Sequence, residues 1–520
     1  MDNEMRRHAY YEYIEFDGEK FFTVVLLPQQ NGSFTTVICR SPYVKNLLDK
    51  SENDIVQEYL KAYEPWLDRG FAIVYQHCRG QGKSTGAFVP YVHEREDGIF
   101  LRQWIRKRLF YNGTLFLFGG SYTASLHYAT APFEEDIKGA VFEVQDSERY
   151  RLWYRNGQMR KGHANWHFEL YKSKCGLNKA FGMRSFSQLP LKDLSERVLG
   201  DRAEDFEQML TAQYPSNEFW LSRFGGFDAK NATDHANIPI LLTTGYNDFY
   251  IGGVFKMWNS MDKSTKDKSA LIVSPCDHSD GYNQTYGLAF PNGNRYEQFG
   301  RRYQIDWFDN ILNGKRLPYE KGVITYYRAF ENTWRSDFYS SPTEILELGL
   351  GRGSVSFCYD PLNPPTFRAE GNFQDNFDSR VDVVSLYTDP FEKDVFIRGQ
   401  MKAKLTVSSS CPDSAFYVSI AIQKPQGDYV LRHDITSLCY QLGDYTSLDA
   451  VALDFCFDEY AFLIKKGERL RIDVSSTDNS TYVCHTNKKG AYYLQSEADK
   501  ATNTVFLDSS KLFLPIETNE

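Results

Sequence analysis

Several features that mark particular protein classes are missing from this 520-residue sequence. No stretch comes near the roughly 18 consecutive apolar residues of a transmembrane helix. The N-terminal residues MDNEMRRHAYYEYIEF are charged from the start and lack the apolar core of a secretory signal. The nine cysteines form no Cys-x-x-Cys pair, which excludes the common zinc-ribbon and thioredoxin patterns. Because scattered thiols in odd number are typical of a reducing compartment, we expect a cytoplasmic protein.

The sequence also lacks an excess of basic residues. Lys and Arg number 59 against 68 Asp and Glu, which gives a net charge of −9. This balance argues against binding to nucleic acid or to an anionic membrane, since both need a basic face. Aromatic residues make up 16% of the chain, which argues against disorder. At about 150 residues per domain, the length predicts roughly three or four domains.

The first half of the chain contains an alternation of short apolar runs and helical patterns. Each run has four to eight residues rich in Val, Ile, Phe or Leu, which is typical of strands buried on both faces of a parallel sheet. Amphipathic segments such as Glu96–Arg106 lie between the runs. The alternation predicts an α/β domain with a doubly wound sheet. The runs are Thr36–Cys39, Phe71–Gln76, Thr114–Gly120, Gly139–Val144, Ile238–Gly245 and Ala270–Pro275.

Two regions depart from this alternation. Residues 145–236 are mostly helical in pattern, with Leu194–Thr211 as one predicted helix, and an insertion there predicts a cap over the sheet edge where ligands bind. Beyond about residue 341 apolar and polar residues alternate, as in Met401–Val407, which predicts a β-sandwich of the jelly-roll type. The predicted domains are an α/β domain of residues 1–144 and 237–340, a helical cap of residues 145–236, and a β domain of residues 341–520.

A serine lies where one apolar run passes into a predicted helix. The residues Gly119-Gly120-Ser121 fit a nucleophile elbow, a tight strand–turn–helix that needs small residues beside an exposed serine. The general Gly-x-Ser-x-Gly pattern is half met, because Thr123 holds its last position. Taken alone, the segment fits a glycine-rich turn with a helix-capping serine equally well.

Later strand ends carry the two residue types that a serine nucleophile needs. Asp248 follows the run that ends at Gly245, and His278 follows the run that ends at Pro275. The order Ser, Asp, His is that of α/β-hydrolases, and the long interval between Ser121 and Asp248 contains the predicted cap. The three positions therefore predict a catalytic triad. The alternative is that Asp248 and His278 are polar loop residues that make local turns.

Seven short motifs in order along the chain carry a family resemblance. They are Arg40-Ser-Pro-Tyr43, Arg79-Gly80 with Ser84, Gly86 and Phe88, Gly119-Gly-Ser121-Tyr122, Asn217-Glu-Phe219-Trp220, Gly245-Tyr-Asn-Asp248, Ser274-Pro275-Cys-Asp-His278 and Phe357-Cys-Tyr359-Asp360-Pro361. With them the sequence resembles the cocaine esterase and Xaa-Pro dipeptidyl-peptidase group of serine hydrolases, which includes α-amino acid ester hydrolases. The resemblance implies an α/β-hydrolase core with a helical cap insertion and a C-terminal all-β jelly-roll domain.

The resemblance also implies the residues of the site. Ser121, Asp248 and His278 would be the triad, with the Tyr43 hydroxyl and the Tyr122 backbone N–H as the oxyanion hole. One departure is His77, which stands where the family usually has an aspartate two residues before Arg79. This departure puts in doubt an Asp–Arg contact that is expected beneath the site.

The function that follows is hydrolysis of ester or amide bonds in small acyl substrates through an acyl-enzyme on Ser121, with no metal and no organic cofactor. The expected partner is the small-molecule substrate, and homo-oligomerisation is left open. Within the enzyme class the alternative is an Xaa-Pro dipeptidyl-peptidase or an α-amino acid ester hydrolase. In another class, the alternative is an inert carbohydrate-binding protein that uses the jelly roll.

Candidates for the substrate pocket come from the cap and from the strand before it. Trp153, Tyr154, Trp166 and Phe168 are candidates for an apolar acyl or aryl pocket, although packing in the cap core is the simpler interpretation for each one. Three acidic residues are candidates for binding a substrate ammonium, although a solvated or salt-bridged loop is simpler. These are Glu143, Asp146 and Glu148.

His163 and His167 have the i, i+4 spacing of two metal ligands on one helix face. The sequence offers no third ligand near them, so we expect no metal site.

Overall fold

The computed structural model describes residues 7–145, 148–175, 186–220, 236–279, 288, 290–339 and 343–517. A mixed sheet of ten strands forms the centre of the first part of the chain. The strands up to residue 337 are β1 His8–Phe16, β2 Glu19–Leu27, β3 Phe34–Ser41, β4 Ala72–His77, β5 Tyr111–Gly120, β6 Ile137–Glu143, β7 Tyr154–Arg155, β8 Gln158–Met159, β9 Ile240–Asn247, β10 Ala270–Asp277, β11 Ile324–Arg328 and β12 Thr333–Asp337.

The order across this sheet is β1-β2-β4-β3-β5-β6-β9-β10-β11-β12, and β7 pairs with β8 outside it. The strands from β4 to β11 in that order run parallel, while β1, β2 and β12 pair antiparallel at the two edges. All six predicted apolar runs lie in the parallel part. Their side chains are almost fully buried, as β9 shows, because helices cover both faces of a parallel sheet.

Thirteen α-helices occur in the described part of the chain. Ser51 caps the first of them by accepting a hydrogen bond from the Asp54 N–H at 3.2 Å. The helices are α1 Glu52–Ala62, α2 Glu64–Leu67, α3 Glu94–Ile105, α4 Tyr122–Tyr128, α5 Arg149–Trp153, α6 Lys161–Cys175, α7 Leu194–Leu199, α8 Glu204–Thr211, α9 Ile251–Ser260, α10 Lys263–Lys268, α11 Arg295–Phe299, α12 Tyr303–Asn313 and α13 Leu438–Leu442.

Four of these helices, α5 to α8, lie between β6 and β9, and we call this segment the cap. The helix predicted over 194–211 is two helices. Gly200 ends α7 with φ of 77°, a left-handed conformation that stops a helix, and α8 begins at Glu204. No helix in the described ranges has both the length and the apolar character needed to cross a membrane.

Two antiparallel sheets form the C-terminal part of the chain. One has seven strands and the other has the order β15-β22-β18-β19. The Phe357 and Phe416 rings, one on each sheet, pack edge to face at 6.3 Å. The strands are β13 Thr343–Gly349, β14 Ser354–Tyr359, β15 Val384–Tyr387, β16 Val395–Gly399, β17 Lys402–Ser409, β18 Ala415–Lys424, β19 Gly427–Ser437, β20 Val451–Cys456, β21 Tyr460–Ile464, β22 Leu470–Ser475 and β23 Ala501–Glu517.

Contacts from both other parts hold the C-terminal sheets near the end of β9. The Tyr246 ring on β9 stacks on Tyr460 with ring centroids 4.4 Å apart. From the cap, Arg155 Nε donates to Asp434 at 2.7 Å, and Lys161 Nζ donates to the Asn479 carbonyl at 2.9 Å. The C-terminal part is thereby placed against the carboxyl edge of the parallel sheet.

Candidate active site

Ser121 lies at the sharp turn between β5 and α4. Its φ of 53° and ψ of −132° are strained for a residue with a side chain. The turn is held by the Ser121 N–H, which donates to the Glu143 carbonyl at 2.8 Å. A Cβ on Gly119 would lie 2.5 Å from the backbone of Thr123, so this position has to be glycine. The geometry is that of a nucleophile elbow, with the serine raised above the edge of the sheet.

Asp248 and His278 lie beside each other at the ends of β9 and β10. His278 Nδ1 is 3.0 Å from Asp248 Oδ1. The Asp248 side chain is fully buried, and it also accepts hydrogen bonds from Thr244 Oγ1 at 3.0 Å and from the Tyr250 N–H at 3.1 Å. These donors fix the carboxylate, and the carboxylate in turn orients the imidazole.

The imidazole of His278 also reaches Ser121. His278 Nε2 lies 3.1 Å from Ser121 Oγ, which completes a hydrogen-bonded row of three side chains. The rings of Phe249 and Tyr250 flank the imidazole, with centroids 4.6 and 4.9 Å away. The structure thus brings together the three residues that the sequence singled out from three separate strand ends.

The two residues predicted for the oxyanion hole lie next to Ser121. Tyr122 follows it directly, so the Tyr122 N–H is at the N-terminus of α4. Tyr43 is 44% exposed because its ring lines a cavity. Burial of its hydroxyl end raises the pKa of Tyr43 to about 12, while hydrogen bonding to the Ser121 and Trp166 side chains and to the Tyr122 backbone opposes that rise. The phenol is therefore protonated at neutral pH and close to Ser121.

The Tyr122 hydroxyl belongs to a buried polar cluster beneath α4. Its hydroxyl donates to the Glu94 carboxyl and accepts from the Tyr91 N–H at 2.9 Å. Burial raises the pKa of Glu94 to about 7, against the opposing charge of Arg40, whose guanidinium lies 3.7 Å from that carboxyl. These hydrogen bonds fix Tyr122, the first residue of α4, and so hold the first turn of the helix in place.

His77 takes part in a different contact from the one that the family pattern suggested. Its Nε2 lies 2.9 Å from the Tyr59 hydroxyl, and burial lowers the pKa of His77 to about 3, so the ring is neutral. Arg79 pairs with Asp97 at 2.6 Å and with Asp17 at 3.1 Å. Asp97 thus supplies the buried carboxylate for Arg79.

A cavity of about 650 Å³ opens above Ser121 and His278. Its walls come from the α/β core, the cap and the C-terminal sheets together. The core wall is largely aromatic, the cap wall is mixed, and the C-terminal wall is mostly polar. The lining residues are Tyr43, Tyr91, Ser121, Tyr122, Asn247, Phe249, Tyr250 and His278 from the core, Leu152, Arg160, Gly162, His163 and Trp166 from the cap, and Ala369, Glu370, His433, Ser480 and Thr481 from the C-terminal part.

Of the four cap aromatics predicted for the pocket, Trp166 lines the cavity and the other three do not. Trp153, Tyr154 and Phe168 are at most 1% exposed and belong to the cap core. The Phe168 ring packs on Phe206 at 3.9 Å, and the Tyr154 hydroxyl donates to the Met209 carbonyl at 2.9 Å. The prediction is corrected for these three, because they stabilise the cap by packing its helices together.

The acidic residues considered for ammonium binding also lie elsewhere. Glu143 is buried below the elbow, where it accepts from the Tyr303 hydroxyl at 2.5 Å, and Glu148 pairs with Lys256. Asp146 lies outside the described residues. His163 and His167 pack edge-on against Trp153, at 5.6 and 5.2 Å, and no group of three metal-ligating side chains occurs in the described part of the chain.

Sequence reasoning missed the wall from the C-terminal part. Glu370, His433 and Thr481 line the cavity, although each is far along the chain from Ser121. No local pattern marks them, because their position depends on how the C-terminal sheets dock on the cap. The lining residue Arg160, in the cap just before α6, was missed as well.

The parallel sheet with a serine at its strand–turn–helix and a histidine at a later strand end defines an α/β-hydrolase. Residues 17–280 match the family model of the X-Pro dipeptidyl-peptidase (S15 family), and residues 325–511 match the X-Pro dipeptidyl-peptidase C-terminal non-catalytic domain. The chain belongs to this S15 family of serine hydrolases, which act on ester or amide bonds.

Individual relatives agree with this assignment. The chain is 24% identical to the cocaine esterase of Rhodococcus sp. (strain MB1 Bresler), over 91% of each protein. An aminopeptidase from the marine sediment archaeon Thaumarchaeota archaeon superposes with a TM-score of 0.82 at 18% identity, over 99% of this chain and 97% of that one. An α-amino acid ester hydrolase superposes with a TM-score of 0.81 at 17% identity, over 99% and 98%. The two structures show the shared fold.

Proposed function

We propose that this protein hydrolyses ester or amide bonds of small acyl substrates through an acyl-enzyme on Ser121. The observation that carries the proposal is the row of hydrogen bonds from Asp248 through His278 to Ser121, which ends at the cavity. A serine hydroxyl is a weak nucleophile, and it needs an adjacent base that is itself held in place.

In the proposed mechanism, His278 Nε2 takes the proton of Ser121 as Oγ attacks the substrate carbonyl carbon. The same imidazolium then protonates the leaving group, and a water molecule later releases the acid by the reverse sequence. Asp248 fixes the imidazole so that Nε2 faces Ser121, and it stabilises the imidazolium while it exists.

The oxyanion that forms on the substrate carbonyl would meet two donors. One is the Tyr122 N–H at the start of α4, and the other is the Tyr43 hydroxyl. Because Tyr43 remains protonated well above neutral pH, its hydroxyl is available as a donor. Preorganised donors of this kind stabilise the negative charge without reorganisation during the reaction.

The cavity favours esters of small acids over substrates that need a free amine. Glu370 is the only carboxylate among the described lining residues, and it is already engaged by Arg432 Nη1 at 2.9 Å and by the His433 N–H at 3.2 Å. An ammonium group would therefore find no uncommitted carboxylate on the described walls. The aromatic side chains around Trp166 instead suit the apolar part of an acyl or aryl group.

The test uses a fluorophosphonate probe and para-nitrophenyl acetate. Ser121→Ala should lose both covalent labelling and ester turnover, because no other group can form the acyl-enzyme. Ser279→Ala is the matched control, since Ser279 is an exposed serine next to His278 and should leave both signals in place. Undiminished labelling of the Ser121→Ala protein would refute the proposal.

A comparison of substrates tests the preference. We expect turnover of para-nitrophenyl acetate to exceed that of an Xaa-Pro para-nitroanilide. The opposite result would favour dipeptide release: faster turnover of the anilide, together with loss of that turnover when the N-terminal amine of the anilide is blocked.

A further inference from the structure

One positively charged side chain on the cavity wall, Arg160, has no negatively charged partner in the described part of the chain. Arg160 is the only arginine or lysine among the lining residues that the structure describes. It lies between β8 and α6, where its backbone bridges to Tyr482 and its N–H donates to the Trp153 carbonyl at 2.7 Å. This position puts its guanidinium where the cap meets the C-terminal wall, within the same cavity as Ser121.

The guanidinium of Arg160 has no partner among the described residues. Its Nε is shut off from solvent and makes no hydrogen bond, and the side chain forms no ion pair there. The other arginines of this region are all engaged. Arg155 pairs with Asp434 at 2.7 Å, Arg151 with Asp458 at 3.0 Å, and Arg432 with Glu370 at 2.9 Å.

Three carboxylates near Arg160 pair with other arginines, and a fourth, Asp478, accepts hydrogen bonds from Ser480 and from the Phe367 N–H. Asp458 accepts from Arg151 and Arg155, Asp434 from Arg155, and Glu370 from Arg432 and the His433 backbone. Of the three lining histidines, His163 and His433 are neutral and add no positive charge, because burial lowers the pKa of His433 to about 4 and that of His163 well below its usual value. On the described walls of the cavity, Arg160 is therefore a charged side chain without an ion-pair partner, whereas Glu370 is paired with Arg432.

We propose that Arg160 binds a carboxylate of the substrate, so that the preferred substrates are esters or amides that also carry an ionised carboxylate. The preference concerns the site of the proposed function and rests on it. A guanidinium presents a planar pair of donors that matches a carboxylate, and such charge-assisted bonds are about twice as strong as neutral ones. Arg160 is partly buried, and a partly desolvated cation gains more from this contact than a fully exposed one.

The experiment compares esters with and without a charged group, and every enzymatic rate is corrected for the rate of hydrolysis measured without enzyme, because a free carboxylate also changes the intrinsic reactivity of the ester. On the acyl side, the mono-para-nitrophenyl ester of glutaric acid is compared with para-nitrophenyl pentanoate, which has the same chain length and no charge. On the leaving-group side, para-acetoxybenzoate is compared with phenyl acetate. The wild-type protein should show a kcat/KM ratio of about tenfold or more in favour of the anionic ester in at least one pair.

Variants then assign the preference to the guanidinium. Arg160→Gln should reduce that ratio to near unity, and Arg160→Lys should retain part of it because the charge remains. Arg352→Gln is the matched control, as Arg352 is exposed on the C-terminal part, and it should keep the wild-type ratio. The para-nitrophenyl ester of δ-aminopentanoic acid, which carries an ammonium group, should be the poorest acyl-side substrate.

The outcomes separate this inference from the proposed function. If the neutral esters are hydrolysed but neither anionic ester is preferred, or if Arg160→Gln keeps the preference, carboxylate binding by Arg160 is wrong. A preference for the aminopentanoate ester would also overturn it. If no ester is hydrolysed and Ser121 is not labelled, the proposed function itself fails.

Discussion

Gly245 on β9 and Cys276 on β10 are so close that a Cβ on the glycine would lie 2.0 Å from the Cys276 carbonyl oxygen. The two strands pair in parallel, with Ser274 opposite Gly245 and a register shift before Asp277. Asp248 follows three residues after the glycine, and His278 follows directly after that shift. The close approach therefore sets the spacing between the carboxylate and the imidazole.

Replacement of Gly245 by alanine should destabilise the protein. The obstacle is backbone rather than a flexible side chain, so β9 and β10 must move apart, and overpacking of this kind costs about 1–3 kcal/mol or more. Urea unfolding should show the loss of stability, and the distance from Asp248 to His278 should no longer hold, so ester turnover should fall as well. Gly349→Ala is the control, because an added Cβ there meets nothing within 4 Å. Equal stability of the two variants would contradict the argument.

Replacement of Asp248 by asparagine should lower kcat by about 10³–10⁴-fold, because the amide no longer selects the imidazole tautomer that leaves Nε2 free to accept the serine proton. The shape of the side chain is retained, so far-UV circular dichroism should be unchanged. Asp277→Asn is the matched control. Asp277 is the last residue of β10, directly before His278, and its carboxylate accepts hydrogen bonds from Ser279. A kcat for Asp248→Asn close to that of the control would exclude Asp248 from the mechanism.

The strand ends explain why the site itself was predictable from sequence. Buried parallel strands are continuous apolar runs, so Ser121, Asp248 and His278 stand out as polar residues at their ends. The sheet then brings the carboxyl ends of its strands to one edge, and no long-range information is needed. The helix break at Gly200 was missed because the amphipathic pattern continues across it.

The cavity walls were less predictable, for a physical reason. Aromatic residues such as Trp153 and Trp166 look the same in the sequence, although Trp153 is buried in the cap core and Trp166 lines the cavity. Which of them faces the cavity depends on how the cap helices pack. Glu370 and His433 reach the site because the two C-terminal sheets dock beside it, and no local spacing of residues in the sequence indicates this docking.

Replacement of Tyr43 by phenylalanine should slow acylation by about 10²–10³-fold, the usual effect of removing one oxyanion donor. Because the ring lines a cavity and the change removes one hydroxyl, the free energy of unfolding should change little. Tyr13→Phe is the control, as its hydroxyl bonds to Glu52 on the surface, and it should keep the wild-type rate. The rate of fluorophosphonate labelling measures acylation, and an unchanged rate for Tyr43→Phe would remove the hydroxyl from the oxyanion hole.

Glu94, beneath the Tyr122 side chain, should make stability depend on pH. Burial raises its pKa from 4.5 to about 7 in the folded state, so the folded protein binds a proton that the unfolded chain has released. Stability should therefore be retained below about pH 4.5 and be lost progressively as the pH rises to about 7, with a slope of at most about 1.4 kcal/mol per pH unit.

Glu94→Gln removes this titration, because the amide is neutral throughout while it still accepts from the Tyr122 hydroxyl. Its stability relative to the wild type, measured by urea unfolding across this range, should rise with pH and then level off above about pH 7. Glu96→Gln changes an exposed residue in the same first turn of α3 and should follow the wild-type curve. Parallel curves for Glu94→Gln and the wild type would mean that Glu94 is ionised in the folded protein, and the hydrogen bond from Tyr122 would then be to a carboxylate held by Arg40.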